Sequence, residues 1–166
     1  RNQERFPLKN VLPEPKAEDG SGVATTKVDY SHDVLTAEAL RFLDESDDEK
    51  PFFLELTFTI PHANNEAGDQ GMEVPDLGIY ADKPWPQAAK GHAAMISRMD
   101  ADIGRLMARL SEKGLAQKTL VLFTSDNGPW LQKKLNGGSA GLLRDGKGGT
   151  WEGGYRVPAI ARWPGK

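Results

Sequence analysis

The residues of this chain best suited to chemistry sit where one apolar run ends and in the glycine-rich stretch that follows it. Thr119 to Gly128 reads TLVLFTSDNG, and Gly146 to Pro158 reads GKGGTWEGGYRVP. Asp126 offers a carboxylate and Asn127 an amide carbonyl, the hard oxygen donors that calcium gathers in shells of roughly six to eight. A strand ending in that pair delivers both to the carboxyl edge of a sheet, where open α/β sheets bind their ligands. The same Asp-Asn-Gly is also an ordinary turn signal, so the tripeptide alone does not choose between the two roles. Lys147 lies between Gly146 and Gly148, where the backbone can approach a ligand and the ammonium can reach an oxyanion. The spacing of a P-loop is absent, and a lone loop lysine is far more often simply exposed. His62 follows Pro61 at the end of another apolar run, placed to act as donor or general acid, or only to close a loop. His32 and His92 fall on expected helices and are read as surface or packing residues. Glu152 and Arg156 are positioned to tie the Gly153-Gly154 bend to the core.

The elements that must hold these residues follow from periodicity. Arg1 to Lys27 carries prolines, charges and Gly-Ser-Gly without a sustained period, and residues 1–28 are read as an irregular segment. Ser31 is the expected N-cap of a helix whose apolar positions are Leu35, Ala39, Phe42 and Leu43. Phe52 to Ile60, FFLELTFTI, alternates as an interior strand does. Ala63 to Trp85 is a long connection that could form one wall of a cleft. From Pro86 to Lys113 a stripe of Ala89, Ala93, Ile96, Met99, Ile103, Leu106, Met107 and Leu110 predicts a long helix, with Gly114 as its C′ residue. Thr119 to Ser125 is the next strand, making a parallel crossover unit with Phe52–Ile60 that would set His62 and the Asp126–Asn127 pair on one sheet edge. Val157 to Trp163 is a further candidate strand.

Composition bounds the rest. With 166 residues, 38% hydrophobic and 27% charged, the chain can bury a real core. A formal charge of −3 gives no basic field for a phosphate backbone, so nucleic acid is not an expected partner. No apolar run has the length of a membrane span, and the first residues lack the layout of a signal peptide. The absence of cysteine excludes disulfides, thiolate metal sites and a cysteine nucleophile.

In order, FFLELTFTIPH, the Met99-Asp100-Ala101-Asp102-Ile103-Gly104 helix, TLVLFTSDNG and LLRDGKGGTWEGGYRVPAIARWPGK resemble the sulfatase family of the alkaline phosphatase superfamily, over residues 29–166. The resemblance implies an α/β fold, an α/β/α sandwich with a mainly parallel sheet, incomplete in this chain. It implies Asp126 and Asn127 as ligands of an active-site calcium ion, His62 as a contact to the sulfate ester, and Lys147 as a ligand of the sulfate oxygens that steadies the leaving group. The implied reaction is hydrolysis of a sulfate monoester, on a glycan or an aryl group, by a formylglycine made from a Cys/Ser-x-Pro-x-Arg motif. No such motif occurs here. The chain is therefore expected to be the later part of a catalytic domain, lacking the nucleophile half and the small C-terminal subdomain, and inactive alone. A phosphate or phosphonate hydrolase of the same superfamily and a non-catalytic binder of sulfated glycans are the alternatives. By the same resemblance the compartment would be the periplasm, the lysosome or the cell exterior.

Overall fold

A computed structural model describes residues 6–13 and 22–166. They fall into two compact units, one ending at Arg109 and the other running from Leu110 to Lys166. Of the segment expected to be irregular, residues 1–5 and 14–21 lie outside the described residues. The remainder is pinned by a bridge between Val11 and Thr26 and by Asn10 Oδ1, which accepts from the amides of Val28 and Asp29 at 2.7 and 2.8 Å.

The first unit is built on two helices. Helix α1 spans Ser31–Glu45, and α2 spans Gln87–Glu112. Ser31 is the first helical residue rather than the cap; Tyr30 holds the cap position in extended backbone without a side-chain hydrogen bond. The buried stripe of α1 is His32, Thr36, Ala39 and Leu43, so two polar residues complete a face that the apolar pattern places further round the helix. Asp102 on α2 explains them. Its Oδ2 receives His32 Nε2 at 3.0 Å and the Thr36 hydroxyl at 3.3 Å, and its Oδ1 receives Arg105 Nη1 at 2.8 Å. Nearer the helix start, Arg98 donates through Nε and Nη2 to the two carboxylate oxygens of Asp33, both at 2.6 Å. This bidentate pair fixes the rotation of one helix against the other. Met95, Ala94 and Ile60 supply the fully buried apolar contacts.

Phe52 to Ile60 is extended, and its burial alternates as expected: Phe52, Leu54, Leu56, Phe58 and Ile60 turn inward while Phe53, Glu55, Thr57 and Thr59 are exposed. Its rings pack on α1, Phe52 edge-on to Phe42 at 5.7 Å and Phe58 against His32 at 4.4 Å. Among the described residues this segment pairs with no strand. The period-2 reading is right about side-chain direction, while the expected crossover sheet does not form. The long connection behind it is organised by short turns at Asn65–Gln70 and Gly78–Tyr80, the first capped by Asn64, whose side chain accepts from the Glu66 amide.

The second unit takes in the last residues of α2, and Gly114 follows that helix at φ +70°, a left-handed conformation that a side chain would strain, as its C′ reading requires. Strand β1, Val121–Thr124, then pairs with β2, Ala159–Arg162. The pairing is antiparallel, with Val121 opposite Arg162 and Thr124 opposite Ala159. A mainly parallel sheet is therefore not what these strands make. The stretch between them contains no long crossover helix, only a short 3-10 segment at Leu131–Asn136 and the four-residue helix α3, Glu152–Tyr155, and the chain returns in the opposite sense. Leu122, Phe123 and Ile160 are exposed, and the small sheet is apolar on both faces.

Candidate functional site

Three of the four residues singled out from the sequence belong to the second unit, and two loops bring them together. Strand β1 runs into Ser125, whose hydroxyl donates to the Asn127 carbonyl at 3.0 Å and so tightens the Asp126–Asn127 corner. Directly after it, the Gly128 amide donates to the Gly154 carbonyl at 2.8 Å, and the Lys147 amide donates to the Pro129 carbonyl at 2.8 Å. The glycine-rich loop closes on itself through Gly149 N to Gly146 O and Gly153 N to Arg144 O. Such an approach of backbone to backbone needs glycine. A Cβ on Gly128 would sit 1.7 Å from the Gly153 carbonyl oxygen. The sequence thus folds Asp126, Asn127 and Lys147 onto one hydrogen-bonded clamp.

The acid–amide pair is well presented for a cation. Asp126 is exposed, and its carboxylate makes no hydrogen bond or ion pair with a described residue. The Asn127 amide nitrogen donates to the Gly128 carbonyl at 2.8 Å, which orients the amide and leaves Oδ1 as an acceptor. The donor set matches a hard divalent ion in kind. In number it is partial, since no group of three or more His, Asp or Glu residues gathers for metal binding among the described residues.

Lys147 is half-buried, and its ammonium stands 5.2 Å from the centroid of the Trp130 ring. Composition and spacing give no hint of this partner, because Trp130 lies in a loop with no period. His62 belongs to the first unit. It is exposed just after the cis Ile60–Pro61 bond, and Nδ1 donates to the Ala63 carbonyl at 2.8 Å, which assigns the neutral ring the tautomer with its lone pair on Nε2. Glu152 and Arg156 do pair, at 3.1 Å, but one turn apart on α3 and with both side chains exposed, so the pair caps a surface turn instead of tying the loop to the core.

One of the two histidines read from the sequence as surface or packing residues, His32, forms the other polar centre with Asp102. His32 is wholly buried, and desolvation holds its pKa below the ordinary histidine value against the opposing pull of Asp102. His92, half-buried on α2, is lowered by desolvation as well. Across the long connection, Tyr80 and Trp85 stack at 5.8 Å, an aromatic pair at the surface of the first unit.

Comparison with known proteins decides what this arrangement belongs to. The sulfatase family profile matches residues 2–166. The chain belongs to the sulfatase family. Human arylsulfatase A is 34% identical over 144 residues, covering 87% of this chain and 25% of the relative. Mouse steryl-sulfatase is 38% identical over 154 residues, covering 88% and 22%. Among solved structures, Ps i-CgsB superposes with a TM-score of 0.70 at 31% identity, over 87% of this chain and 30% of that one. The PsFucS1 sulfatase from Pseudoalteromonas sp. gives 0.63 at 37% identity, over 81% and 25%. This sulfatase chain spans about a quarter of the length of the curated relatives it matches.

Proposed function

We propose that this chain is the later part of the catalytic domain of a calcium-dependent sulfuric ester hydrolase, one whose completed fold is an alkaline-phosphatase-like α/β/α sandwich with a mainly parallel sheet. The observation that carries the reading is the clamp that sets Lys147 beside the Asp126–Asn127 corner within a sulfatase-family chain. Asp126 through its carboxylate and Asn127 through Oδ1 would hold calcium, which when bound supplies positive charge opposite the sulfate oxygens. Lys147 binds those oxygens as a point charge on a loop too tightly hydrogen-bonded to withdraw. Charge placed in advance where it develops in the transition state is the largest usual source of rate in ester hydrolysis of this kind. His62, whose Nδ1 is engaged by the Ala63 carbonyl, would contact the ester through Nε2, as the family resemblance implies. The substrate is a sulfate monoester on a glycan or an aryl group; Ps i-CgsB, for comparison, has been solved in complex with k-i-k-neocarrahexaose.

The sequence contains neither a cysteine nor a serine in a Ser-x-Pro-x-Arg setting, so the chain itself supplies no nucleophile of the sulfatase kind. Pure protein incubated with 4-nitrophenyl sulfate should therefore release no nitrophenol beyond the buffer rate. Multiple turnover, abolished in K147A, would overturn the assignment of this chain as inactive alone.

A further inference from the structure

Between the acid–amide corner and α3 the charge balance reverses. The chain as a whole carries −3, yet from Gly128 to Trp151 there are Lys133, Lys134, Arg144 and Lys147 against one carboxylate, Asp145. That carboxylate is already used locally, accepting from the Gly146 amide at 2.8 Å. Two of the cations converge on a single ring: Lys133 Nζ stands 4.9 Å from the Trp130 centroid and Lys147 Nζ 5.2 Å from it. The two ammonium groups are thus within roughly 10 Å of each other, about one Debye length at 0.1 M salt, and act together on an anion. Among the described residues the indole is the only partner of the Lys133 ammonium. The backbone that carries the ring is held on both sides, the Trp130 amide donating to Gly137 O at 3.0 Å and the Trp130 carbonyl accepting from Lys133 N at 2.9 Å. A second stack, Arg144 over Trp151 at 3.7 Å, stands on the neighbouring loop.

We propose that Trp130 and Lys133 form a subsite for a second anionic group of the substrate, next to the sulfate held by Lys147, so that the site favours sugars carrying more than one sulfate. The proposal rests on the reading of Lys147 as a sulfate ligand. Trp130 provides a rigid, flat contact for a sugar ring at little entropic cost, and Lys133 supplies a half-buried cation with no carboxylate to neutralise it. Neutral or monosulfated sugars meet the same ring without using that charge. Specificity then arises from an unpaired cation left behind when the second sulfate is missing.

The test is an NMR titration of the whole chain with a monosulfated and a disulfated methyl galactoside, following the indole resonance of Trp130. The wild-type protein should bind the disulfated probe about fivefold more tightly, as expected for one partly exposed ion pair. K133A, with its remaining amide spectrum unchanged, should bring the disulfated probe down to the affinity of the monosulfated one, and K133R should restore most of the preference. Equal affinity of the wild type for both probes, equal weakening of both by K133A, or binding of neither would overturn the subsite. If K147A leaves the monosulfated probe unaffected while K133A still removes the preference, the subsite stands and the assignment of Lys147 fails.

Discussion

The two units are each held together by different parts of the chain. The first is held by side chains: two helices locked by the His32–Asp102–Thr36 cluster and the Arg98–Asp33 fork, with Phe52 and Phe58 packed on α1. In the second, backbone takes that role, with glycines bringing Gly128 and Lys147 against the opposite loop while Leu122, Phe123 and Ile160 remain exposed. The difference teaches where each kind of substitution is felt. Removing a polar side chain from the first unit leaves buried groups without partners; adding a side chain to the second forces two backbones apart.

The sharpest way to break this contrast is D102A. It strips His32 of the hydrogen bond at its only partnered ring nitrogen, since Nδ1 has none in the described structure, and it releases Thr36 as well. The expected loss is about 2–3 kcal/mol in urea denaturation, the cost of leaving buried polar groups unsatisfied. A loss under about 0.5 kcal/mol, the range of ordinary surface changes, would show that the first unit does not depend on this cluster. Next comes G128A, whose Cβ would meet Gly153 O at 1.7 Å. Its predicted signature is local: faster hydrogen exchange at the Gly128 and Lys147 amides, with α1 and α2 unchanged.

Much of this division is legible in the sequence, and its gaps have physical causes. Alternation in FFLELTFTI gives the inward face residue by residue, because the direction of side chains in extended backbone depends on the chain alone. Pairing depends on a neighbour, and here the expected crossover sheet gives way to β1 against β2 in the antiparallel sense. The helical periods locate α1 and α2, yet the buried face of α1 is centred on His32 and Thr36, which no apolar count includes because their burial depends on Asp102, 70 residues away from His32 in the chain. Asp126, Asn127 and Lys147 announce themselves by residue type and by glycine neighbours. Trp130, which meets Lys147, does not, since a contact between two loops leaves no period. The Glu152–Arg156 pair is foreseen as a contact but not in its place, at the surface of α3.

A smaller effect sharpens the comparison through pH. Desolvation lowers the His32 pKa in the folded state, and that of His92 likewise. An unfolded histidine titrates near 6.5, so as pH falls through that value the unfolded chain takes up protons that the folded chain refuses. Stability is therefore full above about pH 6.5 and declines below it toward the depressed folded-state values. The urea midpoint should be lower at pH 5.5 than at pH 7.5, and replacing His92 by Gln should reduce that difference. A midpoint independent of pH over this range would mean that neither histidine resists protonation in the folded state. The smallest effect belongs to R156A. An exposed pair within one turn contributes little, and the midpoint should not move measurably.

The most direct test of the assignment is calcium-linked binding of 4-nitrophenyl sulfate, followed by calorimetry with the wild type, D126A and K147A. The account predicts weak calcium binding, well above micromolar because only two ligands are in hand. It also predicts that millimolar calcium tightens binding of the aryl sulfate, an effect lost in D126A, while K147A weakens that binding with or without the ion. Binding of the sulfate that is indifferent to calcium and unchanged in both variants would contradict it.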